Sequence, residues 1–520
     1  MTLRLLFVKL GSNPETRPIV ESVRERLGNT FIAGVEELLD TPDSVYDEIL
    51  TSHDDALFGA YTKMNLNELA MTPDLYKEVR EFEGQALRMV GRIKYHVEND
   101  YLRGRAMATY DDSFQARADL VFRHSLFWNE ILRKYQFDAV ISMNFSHLGW
   151  DLPLVKFCRN RRIPHLIFTE VGQYPGFQFV QESVEEFGDL TLGLKLRRLC
   201  EKHLSDGGQD RITSYFGHLR GTNPPPPDSI LARRPVAQGK SFKTGVIKAF
   251  LASGEVRGKA HGVTGVNNPL ITKLKRLTSH PLKSVRGFRR TFVRMRATRR
   301  SMKEEKQHWA EIPGREKYVY FPLHFQPEAS TSAKGHVFVD QREAVALVAA
   351  SLPPNWLLVV KEHPHQWRRL YPRSPNYWEK ISTIPKVRVV PHNSDNHRLM
   401  GLSEGVVSIS HTTIAAEAWA TGKKVLFLGY SHLWDAPGIT SANSIEELRN
   451  FWLLPYIAPT EDQLRSYLNK LKEGTFEATL YGRPRHLTMS ESNEVIKRSC
   501  HNITEVILAW LATKGLSEYP

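Results

Sequence analysis

The chain has 520 residues, 41% hydrophobic and 24% charged, with a formal net charge of +13. That length exceeds one ordinary hydrophobic core, so at least two domains are expected, and the composition excludes a disordered or fibrous chain. The positive charge suits anionic partners such as nucleotide phosphates, lipid headgroups or nucleic acid, without choosing among them.

In chain order, LRLLFVKL (3–10) reads as a first buried strand, its apolar stretch too short and charge-interrupted for a secretory leader. The next hundred residues read as mostly helical, with amphipathic stretches near 73–100 and 113–135. FDAVISMN (137–144), a helix through 152–162 and IPHLIFTEVGQYPG (163–176) then form a strand–helix–strand crossover that closes on Glu170. From 205 to 312 periodicity degrades. NPPPPD (223–228) is a polyproline run, and 271–306 carries roughly a dozen Lys and Arg against two acids. Regular alternation resumes at 318, and helices close the chain near 461–473 and 490–514. The expected layout is a domain over 1–204, a basic connector over 205–312, a second α/β domain over 313–460, and C-terminal helices over 461–520 packing back across both.

Cys158, Cys200 and Cys500 are far apart and lack ligand spacing, which argues against disulfides and structural zinc. With no apolar run of bilayer length, the expected location is the cytoplasm.

Three strand ends in the second half collect polar groups. YVYFPLHFQPE (318–328) ends in His324, Gln326 and Glu328; WLLVVKEHPHQ (356–366) ends in Lys361, Glu362, His363 and Pro364. GVVSISHTTIAAEAWATG (405–422) runs through Ser410, His411, Thr412 and Thr413 into a helix carrying Glu417. Open parallel sheets bind ligands beyond the carboxyl ends of their strands. A strand delivering Ser410, Thr412 and Thr413 to a helix start offers N–H groups and the positive end of the dipole to phosphate. Ordinary helix capping explains the same hydroxyls. Glu417 is suited to ribose hydroxyls, and Lys361 and His363 to phosphate. The i, i+2 spacing of His363 and His365 does not make a metal pair. His324, Gln326 and Glu328 suit sugar hydroxyls or acid–base work, although a satisfied strand-end histidine is the commoner occurrence. Glu170 stands where a general base or nucleophile for glycosyl transfer would be needed.

Taken together, YVYFPLHFQPEAS with FVDQ (338–341), VVKEHPHQ, SISHTTIAAEAWATGKKVLFLG with APG (436–438), and FTEVGQYPG resemble the bacterial capsular polysaccharide biosynthesis family, which includes retaining β-Kdo transferases. The resemblance covers 318–440 and, more weakly, 137–176. It implies a GT-B-like fold in which two Rossmann-type domains face each other across a cleft. It also implies His363 and Pro364 at the donor nucleotide, Ser410, Thr412 and Thr413 near its phosphate, and Glu417 near the ribose. Gln326 and Glu328 would then meet the donor sugar, and Glu170 the catalytic cleft. Where the family carries an acidic pair before the glycine, this chain has Glu170 followed by Val171.

The expected function is a glycosyltransferase of surface-polysaccharide assembly. It would move a sugar from a nucleotide donor, CMP-linked and Kdo-like, to a glycan or lipid-linked acceptor. No cofactor or obligatory metal is expected. The basic 271–306 stretch is read first as a solvated helical face and next as a surface for an anionic inner membrane, and its sparse aromatics and lack of a binding motif speak against nucleic acid. The alternatives are a sugar-nucleotide epimerase of similar build and a non-catalytic module that binds glycan or polyanion.

Overall fold

The computed structural model describes residues 2–10, 15–36, 44–90, 113–144, 146, 149–171, 177–183, 189–205, 217, 220, 295–326, 329–332, 334–368, 371–442, 444–478 and 489–519. The run 172–176, most of 205–294, and Glu328 lie outside them.

Two sheets organise the chain. The first contains β1 (Leu3–Val8), β2 (Thr30–Glu36), β3 (Glu48–Ser52), β4 (Ala139–Met143), β5 (His165–Glu170), β6 (Phe177–Glu182) and, from the far end of the sequence, β13 (Thr475–Glu477). Its order is β13-β6-β5-β4-β1-β2-β3, parallel from β3 to β5 and antiparallel at β6 and β13. The second contains β7 (Tyr318–Pro322), β8 (Leu357–Lys361), β9 (Val387–Val390), β10 (Gly405–Ser408), β11 (Val425–Phe427) and β12 (Ile439–Ser441). Its order, β12-β11-β10-β7-β8-β9, is parallel throughout. The chain is therefore α/β with two Rossmann-type sheets, and the second has the doubly wound order 3-2-1-4-5-6.

Strands buried on both faces explain the unbroken apolar runs. In β1, Leu6 and Val8 enter one core while Leu5 and Phe7 enter another. In β7, Tyr318 and Tyr320 face one cluster, and Val319 and Phe321 face the opposite one.

Three expectations change. The hundred residues after β1, read as mostly helical, also hold two strands, β2 and β3. The last sixty are not only helices, because Thr475–Glu477 pairs with β6. The Met489–Thr513 helix packs beside β13 and against the Arg17–Leu27 helix. Asn502 ties these parts by donating to the Glu477 and Ser205 carbonyls at 2.8 and 3.0 Å. Finally, the connector, read from sequence as aperiodic to 312, ends in regular structure. Residues 295–307 form a helix whose Glu305 carboxylate is fully buried, and Ala310 donates to the Val389 carbonyl of edge strand β9. Among the described residues, no helix is long and apolar enough to cross a membrane.

Candidate functional site

In the second sheet, the Gln341–Ser351 helix after β7 covers one face, while the Thr413–Ala420 helix after β10 covers the other. Connections diverging from adjacent parallel strands open a crevice beyond their carboxyl ends. The crevice lies between the ends of β7 and β10, and His324 occupies it. Its Nε2 accepts from the Ile409 amide at 3.2 Å, with the Ser410 amide at 3.5 Å and Ser408 Oγ at 3.1 Å. Burial holds this imidazole neutral, with its pKa lowered to about 3. His324 is thus a buried link between two strand ends and not an exposed acid.

Ser408 Oγ donates to the Ser410 carbonyl at 2.6 Å and lies 3.1 Å from Thr412 Oγ1. Thr412 is the N-cap of its helix, accepting from the Ala415 amide at 3.2 Å. Ser410 Oγ donates to the Ser330 carbonyl at 2.7 Å. The hydroxyls of Ser410 and Thr412 therefore hold the turn, and Thr413 begins the helix.

The end of β8 is held by charge. Arg373, from the loop after the Pro364–Arg368 helix, clasps the Glu362 carboxylate through two hydrogen bonds of 2.7 Å. The same guanidinium donates to Gln326 Oε1 at 2.8 Å and to the His324 carbonyl at 3.1 Å. Gln326 Nε2 donates to the Val339 carbonyl at 2.8 Å. The amide assigned to the donor sugar from sequence is thus engaged inside the protein. Lys361 is buried, donates to the His392 carbonyl at 3.2 Å, and has its pKa lowered by burial to about 8.

His363 differs, being half-buried beside Phe325, with ring centroids 6.0 Å apart. Its Nδ1 accepts from the His365 amide at 3.1 Å, so in the neutral ring the proton sits on Nε2. Burial first, then His365 and Lys361, push its pKa well below the usual range. His363 therefore offers a neutral N–H donor, and Pro364 starts the short helix behind it.

Glu417, one turn into its helix, is buried on the face that also holds Tyr320. His397 Nδ1 lies 4.0 Å from its carboxylate, and Tyr320 donates to Asn396 Oδ1 at 2.9 Å. Burial, with Tyr318 and Glu417 adding to it, raises the Tyr320 phenol well above its ordinary pKa.

Glu170 closes β5 of the other sheet, opposite Gln178 in register. The adjacent Val171 belongs to the same buried cluster as Ile414, Ala415 and Leu433 of the second half.

Sequence reading missed three contributors. Arg373 comes from an aperiodic loop and carries no signal. His432 packs against His411 with ring centroids 3.8 Å apart and planes tilted by 39°, and a polar group following strand KVLFLG was its only hint. Gly429 was also overlooked. A Cβ there would come within 2.5 Å of the Lys334 carbonyl and 2.7 Å of that of Ile409, so only glycine allows this approach.

No family model and no curated protein matches the chain. Solved structures similar to it include the KpsC β-Kdo 2,7 transferase of Thermosulfurimonas dismutans, at 12% identity over 66% of this chain and 88% of that one, with a TM-score of 0.26. A UDP-GlcNAc 2-epimerase from Methanocaldococcus jannaschii is 9% identical over 90% of this chain and 99% of that one, with a TM-score of 0.23. A glycosyltransferase from Rickettsia africae is 11% identical over 99% and 98%, with a TM-score of 0.21. At this level of likeness, the chemistry has to be argued from the chain's own residues.

Proposed function

We propose that the chain is a glycosyltransferase of surface-polysaccharide assembly that takes a sugar from a nucleotide donor, CMP-linked and Kdo-like, and passes it to a glycan or lipid-linked acceptor. The observation that carries this reading is the carboxyl edge of the second sheet, where the turn after β10 starts the Thr413–Ala420 helix and the neutral donor His363 follows β8; Glu417, one turn into that helix, is the residue proposed for the ribose. A helix start and an uncharged N–H donor favour an anion, and a carboxylate beside them favours ribose hydroxyls. Lys361 and Gln326 support the walls and do not touch the ligand in this reading.

In transfer, the acceptor oxygen bonds to the anomeric carbon while the bond to the nucleotide phosphate breaks. The electron pair leaves with the phosphate, whose developing charge the helix start and His363 stabilise. The acceptor proton goes to a carboxylate, and Glu170 is the residue proposed for it. The connector helix supports a location at an anionic membrane surface, because Thr298, Ser301 and Glu305 face inward while Arg296, Arg299, Arg300, Lys303 and Lys306 are exposed.

Thermal-shift titration with CMP, UDP, GDP and their sugar conjugates tests the reading. One nucleotide is expected to stabilise the protein, by about 2.7 kcal/mol at 100 times its dissociation constant, and His363→Ala to weaken that response. Turnover with acceptor is expected to fall in Glu170→Gln. A response to no nucleotide, with binding only to polyanions and steeply salt-dependent, would favour the binding module. Conversion of the donor without an acceptor would favour the epimerase.

A further inference from the structure

The first sheet has a switch point of its own. β1 and β4 are adjacent and parallel, yet the Arg17–Leu27 helix after β1 and the Leu152–Asn160 helix after β4 bury their apolar sides in different cores. By topology this is a switch point, the place where open α/β sheets take ligands between two strand ends. The residues immediately beyond those strands, Lys9 and Asn144, are non-glycine residues with φ of 62° and 70°. Such backbone costs free energy and collects at binding sites.

The side chains there form a buried pair. Lys9 Nζ meets the Asp151 carboxylate, Ser146 Oγ donates to that carboxylate's other oxygen at 2.6 Å, and the Trp150 ring lies 5.1 Å from the ammonium. Asp151 is the N-cap residue of the Leu152–Asn160 helix, yet it makes no capping hydrogen bond, its carboxylate being turned to Lys9 and Ser146. Burial raises the pKa of Asp151, and Lys9 and Ser146 more than reverse that, so the carboxyl stays ionised. The side chain of Asp151 is 6% exposed and that of Lys9 17%, so the cation is the member of the pair nearer solvent. An ammonium has three donors, and Asp151 is the carboxylate it meets among the described residues. Register puts this switch point on the same sheet edge as Glu170, two strands away with β4 between.

We infer that the strand ends of β1 and β4 form a second ligand site, in which Lys9 receives an oxyanion of the acceptor, either a phosphate monoester or a carboxylate, in competition with Asp151. Lys9 is the contacting residue, and Asp151, held by Ser146, is its counter-ion while the site is empty. The assignment rests on the glycosyltransferase reading for the word acceptor, while the oxyanion site stands on the geometry of the first sheet.

Calorimetric titration of the full chain with glycerol phosphate and, separately, with glucuronate tests it. Wild type is expected to bind at least one of the two, and the preferred probe identifies the group. Lys9→Met is expected to weaken that binding at least about tenfold, equivalent to about 1.4 kcal/mol. Asp151→Asn, which removes the competing carboxylate, is expected to tighten it. A purely structural ion pair would lose binding in both variants. Because Lys9→Met strands a buried carboxylate, the double variant Lys9→Met/Asp151→Asn provides a folded control and should also bind weakly. Binding of neither probe by wild type, equal binding by Lys9→Met, or weaker binding by Asp151→Asn would overturn the inference. Nucleotide-induced stabilisation reports the second sheet independently. Its survival while oxyanion binding fails would sink only this site, and its loss while oxyanion binding persists would sink only the donor reading.

Discussion

Replacing Arg373 with methionine removes the group that ties two strand ends together while keeping most of the side chain's bulk. The Arg373 and Glu362 side chains are 4% and 0% exposed, so Glu362 would be left as a buried charge without its partner. Breaking such a pair costs about 3–5 kcal/mol. A ceiling follows from titration, since the stranded carboxyl can take up a proton. From an ordinary value of 4.5, doing so at about pH 7 costs 2.5 × 1.36, or about 3.4 kcal/mol. Gln326 Oε1 and the His324 carbonyl each lose a donor as well, at about 1 kcal/mol apiece. The expected loss is therefore about 5 kcal/mol near neutral pH. Burial already raises the Glu362 carboxyl, with Arg373 pulling it back, so removing Arg373 raises it further. A raised carboxyl stabilises the fold at low pH and ceases to as pH rises through the folded value. The cost of Arg373→Met should thus shrink by at most about 2 kcal/mol between pH 7 and about pH 5.5. Native-state hydrogen exchange of the β8 amides reads the local opening free energy directly. Arg373→Met/Glu362→Gln should recover most of the charge-related part. A single-variant loss under about 1 kcal/mol, or one unchanged across that pH interval, would refute the reasoning.

His324 and His432 in the second half, and His124 and His165 in the first, all have pKa values lowered by burial to about 3. The unfolded chain binds protons at these sites that the folded chain refuses. Stability should therefore fall as pH drops from about 6.5 toward 3, by at most about 1.4 kcal/mol per pH unit per imidazole. Unfolding midpoints against pH check this, and His324→Asn should flatten the profile. Gly429→Ala should cost about 1–3 kcal/mol through backbone overlap with Lys334 and Ile409. It should weaken nucleotide-induced stabilisation as well, measured by thermal shift on the purified variant.

Much of the second sheet was legible because strands buried on both faces leave unbroken apolar runs, as in WLLVVK before β8 ends and KVLFLG along β11. The polar residues terminating those runs marked the crevice for the same reason, since a side chain such as His324 or Ser410 has no place in an apolar core unless paired. Strands such as TFIAGVE and EILTS were overlooked because they are polar at their ends, and β13 because its pairing partner lies some 300 positions earlier.

By itself, the sequence determined local periodicity, the chain positions where strands end, and the chemistry gathered at those ends. Only the tertiary structure decided which of those groups remain available. Arg373 takes up Gln326, the His392 carbonyl takes up Lys361, and the Ile409 amide takes up His324, whereas His363 keeps a donor N–H. A hydrogen-bond partner from a distant loop leaves no local pattern, because its position is fixed by how the sheets and loops pack and not by the spacing of residues along the chain.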